Sequence, residues 1–177
     1  MKQGFTAALT VSADGNIHRP MLVAKEGMRK DLEKCIEEEK MTKKIPLICK
    51  KNIWMDKDCM LTYIDHLYTF TNGRPSVLIL DQYSSHKNGE VRDKAESLNI
   101  TLVFVPSGQT SVLQPLDVSV NGAIKAIARS EWLNLTHAND RIVKPSDSLR
   151  MLLSSLKQLS KNAIQSGFDA AFSTDFI

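Results

Sequence analysis

The sequence contains few of the features that mark disulfide-rich, membrane or secreted proteins. Only three cysteines, Cys35, Cys49 and Cys59, occur in 177 residues, and no two of them form a CxxC pair. This odd number predicts neither a disulfide framework nor a zinc site and favours a reducing compartment. No apolar run approaches the ~18 residues that a membrane span needs. The first residues also lack the apolar segment of a signal peptide, so we expect no membrane association and no secretion.

Several common catalytic motifs are absent as well. The sequence has no P-loop, no GxGxxG, no GxSxG elbow and no HExxH pair, which argues against the enzymes that these motifs mark. Hydrophobic residues make up 42% and charged residues 24% of the chain, which is ordinary for one globular domain with a real core. The net charge of +3 permits nucleic-acid binding but does not require it.

The hydrophobic pattern predicts an α/β domain. An Asp-Gly turn at 13–16 joins two strand-like segments into a hairpin, in which Asp14 is expected to shape the turn. Further along, a strand, a helix and a strand follow one another, which is the order of a parallel βαβ unit. The predicted strands cover 5–12, 17–23, 77–80 and 100–105, and helices begin at Asp56, at residue 89 and at Pro115. The continuous apolar run at 77–80 predicts a strand that is buried on both faces.

Two segments differ from the rest of the chain. Residues 25–46 alternate opposite charges and have few apolar residues, which predicts a solvated helix or a mobile insertion. Residues 145–172 carry a leucine stripe at helical spacing, and they predict an amphipathic helical tail that Gly167 stops. No repeat or low-complexity segment divides the chain, so 1–177 is interpreted as a single domain.

Two aspartates are the best candidates for chemistry. Asp81 follows the apolar strand, and Asp117 follows a Gln-Pro-Leu corner in which Pro115 begins a helix. Ligands of open α/β sheets gather beyond the carboxyl ends of the strands, where Asp81 is expected. Paired carboxylates are what two-metal phosphoryl-transfer sites use. Alone, Asp81 is explained equally well as a turn cap, and for Asp117 a complement to the helix dipole is the commoner explanation.

Two further polar residues are candidates for a supporting role. His86, in the loop after Asp81, would orient a phosphate or a water, or would simply lie on the surface. Gln114 belongs to the corner that precedes Asp117. An unrelated metal-dependent phosphatase or nuclease would explain Asp81 but would leave the corner unexplained.

The order of several motifs resembles one family. These motifs are Ala13-Asp14-Gly15, Trp54-Met55, Leu80-Asp81 with Ser85-His86, and Phe104-Val105-Pro106 followed by Leu113-Gln114-Pro115-Leu116-Asp117. Together they resemble the DDE superfamily endonuclease domain, and more narrowly the pogo/Tigger/jerky-type transposases with their centromere protein B-like relatives. The resemblance extends from about Gly4 to Phe172, and the Leu-Gln-Pro-Leu-Asp corner is its most specific part.

The resemblance implies an RNase H-like fold, a mixed β-sheet with flanking helices. It also implies DNA as the partner, a nuclear location, and DNA cleavage and strand transfer by three acidic residues with Mg²⁺ or Mn²⁺. Asp81 matches the second acid and Asp117 the third. The family's first acid ends a strand that would precede Gly4, and no residue of this chain matches it.

That first strand is central in the family's sheet. We therefore expect an N-terminally truncated, partial domain in which the hairpin and the strand before Asp81 each have one unpaired edge, at ~1–3 kcal/mol for each buried group left unpaired. With two of three acids, the chain alone is expected to be inactive. The alternative is a domesticated, non-catalytic module that associates with DNA or with a protein, including a second copy of itself as a homodimer.

Overall fold

The computed structural model describes residues 4–39, 45–83, 88–139 and 143–173, with only the backbone described for 137–139. Five strands are present in these ranges: β1 Phe5–Val11, β2 Ile17–Lys25, β3 Leu47–Lys50, β4 Ser76–Leu80 and β5 Ile100–Phe104. The helices are α1 Arg29–Glu38, α2 Lys57–Thr71, α3 Gly89–Ser97, α4 Thr110–Leu113, α5 Asn121–Asn139, α6 Pro145–Gln158 and α7 Lys161–Phe172. The predicted mixed α/β architecture is confirmed.

The hairpin of β1 and β2 forms where the Asp-Gly turn predicted it. Gly15 has a φ of 82°, a left-handed conformation that glycine adopts without steric cost. Asp14 accepts hydrogen bonds from the Ser12 hydroxyl at 2.5 Å and from the Asn16 amide at 3.2 Å. These hydrogen bonds stabilise the carboxylate and lower the pKa of Asp14. The structural role predicted for Asp14 is confirmed.

Strand β2 is the most deeply buried strand of the described chain. It pairs with β1 antiparallel on one side and with β3 parallel on the other. Helices pack on both of its faces, so the four residues from Met21 to Ala24 are 0% exposed. The parallel partner β3 supplies a pairing that the sequence pattern did not predict.

Helix α2 begins and ends at conventional caps. The Asp56 side chain accepts a hydrogen bond from the Cys59 amide at 3.1 Å, as an N-cap residue does. Asn72, with a φ of 51°, ends the helix in the left-handed conformation. The inward face, which includes Met60 and Ile64, packs against β2 as well as against the β4–α3–β5 unit. One helix therefore covers strands of both parts of the sheet structure.

Strands β4 and β5 pair parallel in register from Ser76↔Ile100 to Leu80↔Phe104, with α3 as the crossover. The predicted βαβ unit is confirmed. The prediction that 77–80 is buried on both faces is wrong, because Val77 is 64% exposed and only Leu80 of this strand is buried. The apolar run was correctly assigned to a strand, but its surroundings are more open than the pattern implied.

The strands form two sheets rather than the single mixed sheet that we expected. One has the order β1–β2–β3 and the other consists of β4 and β5. Among the described strands, none lies between β1 and β4, so each of these two has a strand neighbour on one side only. The expectation of two unpaired edges is confirmed for the described residues.

The charged segment and the C-terminal segment both differ from their predictions. Within 25–46, α1 packs Leu32 and Cys35 into the main core at 0% exposure, so its described part is not a solvated insertion. Two apolar positions one turn apart were enough to anchor a helix that is otherwise charged. The C-terminal stripe is divided into α6 and α7 by a break at Leu159 and Ser160. Gly167 lies inside α7 and does not stop the helix.

Candidate active site

Asp81 lies at the carboxyl edge of the two-stranded parallel sheet. It directly follows β4 and is half-buried. Its Oδ1 accepts a hydrogen bond from the Tyr83 amide at 3.3 Å, which is the geometry of an Asx turn. The turn-capping explanation and the sheet-edge position considered for Asp81 are therefore both present in the structure.

A cavity of about 420 Å³ opens next to Asp81. Its walls come from β1, from the segment before α2, from β4 and from the Gln-Pro-Leu corner. Besides Asp81, the polar or aromatic side chains among its lining residues are Thr6, Trp54, Tyr63, Tyr83 and Gln114. The structure thus brings two predicted site residues, Asp81 and Gln114, to one cavity although 32 positions separate them in the sequence.

The corner itself is a change of helical geometry. Helix α4 ends at Leu113, Gln114 is extended, and a π-helical turn runs over Leu116–Val120 before α5 begins. The Asp117 amide donates to the Gln114 carbonyl at 2.9 Å. Asp117 is exposed, and its Oδ1 accepts from Asn121 Nδ2 at 2.8 Å. Leu116 lines the cavity beside Asp81, so Asp117 follows a cavity residue directly.

Helix α7 holds the corner in place. A Cβ at Gly167 would lie 2.4 Å from Ser119 Oγ and 2.9 Å from the Pro115 carbonyl oxygen, so only glycine allows this approach. Ser119 Oγ also donates a hydrogen bond to the Ala163 carbonyl at 2.8 Å. The glycine that the sequence analysis interpreted as a helix stop is a packing contact against the segment that carries Asp117.

Gln114 presents an unsatisfied acceptor. Its Oε1 is buried, with no hydrogen-bond partner among the described residues. A buried amide oxygen without a partner costs ~1–3 kcal/mol, so this position is energetically unfavourable as it stands. The predicted supporting residue Gln114 therefore lies in the cavity with an unused hydrogen-bonding capacity.

The described residues do not make a complete metal centre. In the ranges that the structure covers, no group of three or more His, Cys, Asp or Glu side chains is arranged to hold a metal ion. Two-metal sites rely on several carboxylates around ions ~3.5–4 Å apart. Asp81 and Asp117 alone do not supply that set, and the predicted His86 lies outside the described residues.

Sequence reasoning missed two features near the candidate site. Trp54 was interpreted as part of a family motif before a helix and not as a site residue, yet it is 66% exposed and lines the cavity with Asp81. The other feature is a face of α5 that begins beside Asp117 with the half-buried Asn121 and continues with the exposed Lys125, Arg129 and Trp132. Their spacing of four, four and three residues places all four on one side of the helix. This spacing is visible in the sequence and could have predicted that the four residues share one helix face.

Comparison with known proteins identifies the family. The family model described as DDE superfamily endonuclease matches residues 2–168. The protein "Pogo transposable element with KRAB domain" is 26% identical over 153 residues in Homo sapiens, covering 84% of this chain and 24% of that protein. Its Mus musculus counterpart is 24% identical over 180 residues, covering 94% of this chain and 28% of that protein.

The chain spans about a quarter of the length of these two curated relatives. A shorter match, 24% over 112 residues, is to a Cochliobolus lunatus protein named "MFS-type transporter clz9" and covers 12% of it. No described helix of this chain is long and apolar enough to cross a membrane. The family model matches nearly the whole chain and agrees with the resemblance of its motifs, and the chain belongs to the DDE superfamily endonuclease family.

Proposed function

We propose that the chain is an RNase H-like DDE endonuclease domain derived from a pogo-type transposase, with DNA as its partner. The observation that carries the proposal is the shared cavity of Asp81, at the carboxyl edge of β4, and the Gln114–Leu116 corner that leads into Asp117. Open α/β sheets bind their ligands at this edge. The pogo-type relatives support a nuclear location for the protein.

We assign Asp81 and Asp117 to the second and third acidic positions of the family. Divalent Mg²⁺ or Mn²⁺ is the family's cofactor, and carboxylates of this kind are its usual protein ligands. Since this sequence matches two of the three acidic positions, we propose that the chain alone does not cut DNA. Gln114 and His86 are assigned supporting roles.

The exposed face of α5 is the proposed DNA contact. Lys125 and Arg129 are one turn apart, and neither is in an ion pair with another described residue. Cations on one helix face are suited to successive phosphates, and the exposed Trp132 offers an aromatic surface beside them. Because the net charge of the chain is only +3, the grouping of two cations on one helix face is better evidence for DNA binding than the total charge.

Salt-dependent duplex binding tests the DNA proposal. We expect the double variant Lys125→Ala/Arg129→Ala to weaken duplex binding and to reduce the slope of log affinity against log salt by about 2. Lys30→Ala/Arg74→Ala is the matched control, because it removes the same charge from exposed residues of other elements. If both double variants weaken duplex binding equally, the attraction is non-specific and α5 is not the DNA contact.

Plasmid nicking tests the catalytic part separately. The chain is incubated with supercoiled DNA and Mn²⁺, and we expect no conversion to the nicked form above a protein-free control. Nicking that is retained through purification and lost in Asp81→Ala would overturn the proposed inactivity, and it would show Asp81 to be catalytic.

A non-catalytic protein-interaction module is the second candidate. The unused hydrogen-bonding capacity and the open edges around the cavity favour it. Duplex affinity that is absent at low salt, in a folded protein, would exclude the DNA proposal and leave this candidate.

A further inference from the structure

Strand β5 has an open edge on the side away from β4. Among the described strands, β4 is its only hydrogen-bonded neighbour. A groove of about 490 Å³ is lined by β5 from Ile100 to Phe104, by helix α3 and by the turns before β4 and β5. We call it the β5 groove. It shares no lining residue with the cavity beside Asp81, so it is a separate surface of the domain.

The β4–β5 ladder shows which backbone groups of β5 are directed to the open edge. The Val105 amide donates to the Leu80 carbonyl at 2.8 Å, at the end of the in-register parallel pairing. Backbone groups of successive strand residues alternate in direction, so the odd-numbered residues of β5 bond to β4. The N–H and C=O groups of Ile100, Leu102 and Phe104 are therefore directed to the open edge.

The side chains of β5 do nothing to prevent pairing at this edge. The strand has the sequence Ile-Thr-Leu-Val-Phe, with no charged residue and no proline, which are the usual devices that protect an edge strand. All five residue types pack well in sheets, and Thr101 and Val103 are exposed. The edge is thus suited by its composition to the addition of another strand.

Helix α3 places one positive and one negative charge on the wall of the β5 groove. Arg92 and Glu96 are one turn apart and exposed, and neither forms an ion pair with any residue whose structure is described. The Arg92 guanidinium lies 5.2 Å from the centre of the Phe104 ring, at the end of β5. The Glu96 carbonyl accepts from the Asn99 amide at 3.0 Å, at the start of β5. The two charges thus mark opposite ends of the strand.

A second copy of β5 in the antiparallel direction matches the backbone of this edge. A two-fold axis at Leu102 would set this residue opposite its own copy and Ile100 opposite Phe104 of the other copy. These are the residues whose N–H and C=O groups are directed outward, so each pair could exchange two hydrogen bonds. On the other face of the strands, Thr101 would lie beside Val103 of the other copy, which is a favourable cross-strand pair.

The same axis also matches the charges of α3. It brings the end of one β5 to the start of the other, so Arg92 of each copy would lie opposite Glu96 of the other. An unrelated peptide would have to supply an acid and a base at this separation, whereas a second copy supplies both by symmetry. The charge pattern therefore favours self-association over the binding of a different chain.

We propose that the β5 edge is a homodimer interface in which two chains join their two-stranded sheets around a two-fold axis at Leu102. The backbone of β5 supplies the hydrogen bonds, and the reciprocal pairs of Arg92 and Glu96 set the antiparallel direction. One short strand and one helix face make a small interface on each chain, so the dimer is weak and forms with increasing concentration. Neither Asp81 nor the cationic face of α5 takes part in it.

Sedimentation and hydrogen exchange test the interface in the parent chain. We expect the average mass to rise with concentration from 19.8 kDa towards twice that value. Over the same range, exchange should slow at the amides of Ile100, Leu102 and Phe104, which gain partners in the dimer. The amides of Thr101 and Val103 already bond to β4 and should change much less. This alternation distinguishes strand pairing from a general burial of the surface.

Charge reversal tests the symmetry. Arg92→Glu and Glu96→Arg each set like charges opposite one another, and each should weaken self-association at least about tenfold. An equal mixture of the two variants should associate again, because every reversed residue then faces an opposite charge in the other chain. This recovery also shows that both variants are folded. Asp93→Arg is the matched control, an exposed position of α3 outside the groove, and it should leave the dimer unchanged.

Several outcomes would overturn the proposal. A folded chain that stays monomeric at millimolar concentration has no such interface. A dimer without slowed exchange at the outward amides of β5 is formed elsewhere. Failure of the mixed variants to associate would exclude the two-fold charge pairing, and so would a full dimer of Arg92→Glu alone. None of these results depends on whether the chain binds or cuts DNA.

Discussion

Strands β2 and β4 carry similar apolar runs but have different surroundings. Met21–Ala24 of β2 has a strand on each side and helices on both faces, and it is 0% exposed. β4 has one described strand neighbour, and its Val77 is 64% exposed. The difference shows that an apolar run indicates a strand reliably, whereas its burial depends on neighbours that the run itself does not specify.

The largest expected effect comes from testing that difference directly. Leu22→Ala in β2 should lower the free energy of unfolding by about 2–5 kcal/mol, because the site is enclosed and leaves a cavity. Val77→Ala in β4 should change it by no more than about 0.5 kcal/mol, since this side chain already contacts solvent. Urea unfolding followed by circular dichroism measures both. Similar losses in the two variants would mean that β4 is as enclosed in solution as β2.

A second test concerns the contact between α7 and the corner that precedes Asp117. Gly167→Ala should destabilise the domain by about 1–3 kcal/mol, because the new Cβ meets the Pro115 carbonyl, which cannot rotate away. Gly122→Ala is the matched control in α5, where nothing lies within 4 Å of an added Cβ. It should stabilise by about 0.5–1 kcal/mol. Thermal unfolding of the pair checks whether α7 is fixed against the corner.

Helix α2 packs against both β2 and β4. Weakening the start of this helix should therefore destabilise both strands together. Asp56→Ala removes the N-cap and should cost about 1 kcal/mol. Asp56→Asn keeps the cap acceptor but loses the ion pair with Lys50, which holds the pKa of Asp56 at about 2. We expect Asn to retain most of the stability at pH 7. Equal losses in the two variants would assign the stabilisation to the ion pair instead.

The smallest effect should be a dependence on pH confined to the β2 side of α2. Burial lowers the pKa of His66 below its ordinary value of 6.5. The hydrogen bond to the Arg19 backbone opposes this shift, and the charges of Arg19 and His18 add to it. The unfolded chain therefore takes up this proton first as pH falls, so stability present above about 6.5 is lost on acidification. His66 Nε2 contacts the Arg19 carbonyl at 2.9 Å.

His66→Gln keeps a donor of similar reach without the titration. The decrease in thermal midpoint between pH 7.5 and pH 5.5 should be smaller in this variant than in the parent chain. An unchanged decrease would assign the acid sensitivity to other groups, of which His18, stacked on Phe70 and also lowered in pKa by burial, is the first.

The elements that local chemistry specifies could be predicted from the sequence. The Asp14-Gly15 turn, the Asp56 cap and the parallel βαβ unit are all where the pattern placed them. Predictions failed where burial depends on distant partners. Leu32 and Cys35 anchor α1 against α6, and Gly167 accommodates Ser119, but neither contact leaves a local signal in the sequence.

The candidate site was predictable in part for the same reason. Asp81 and the corner were found because the end of a strand and a proline-started helix have sequence signatures. The exposed Trp54 and the unsatisfied Gln114 oxygen depend on how β1, β4 and the corner meet, which is a tertiary property. The assignment of Asp81 and Asp117 as acids of one site stays a prediction.

The π-helical turn at Leu116–Val120 sets the rotation of the α5 face relative to Asp117. Asp117 is its second residue, held by the corner that precedes it, and downstream of it α5 presents the exposed Lys125 and Arg129. Each residue of a helix advances the direction by about 100°. Deleting one residue of this turn would rotate the cationic face by more than a quarter of a revolution relative to the carboxylate, with no change in composition. The length of the turn therefore sets the direction of the cationic face of α5, which is proposed to contact phosphates, relative to the Asp117 carboxylate.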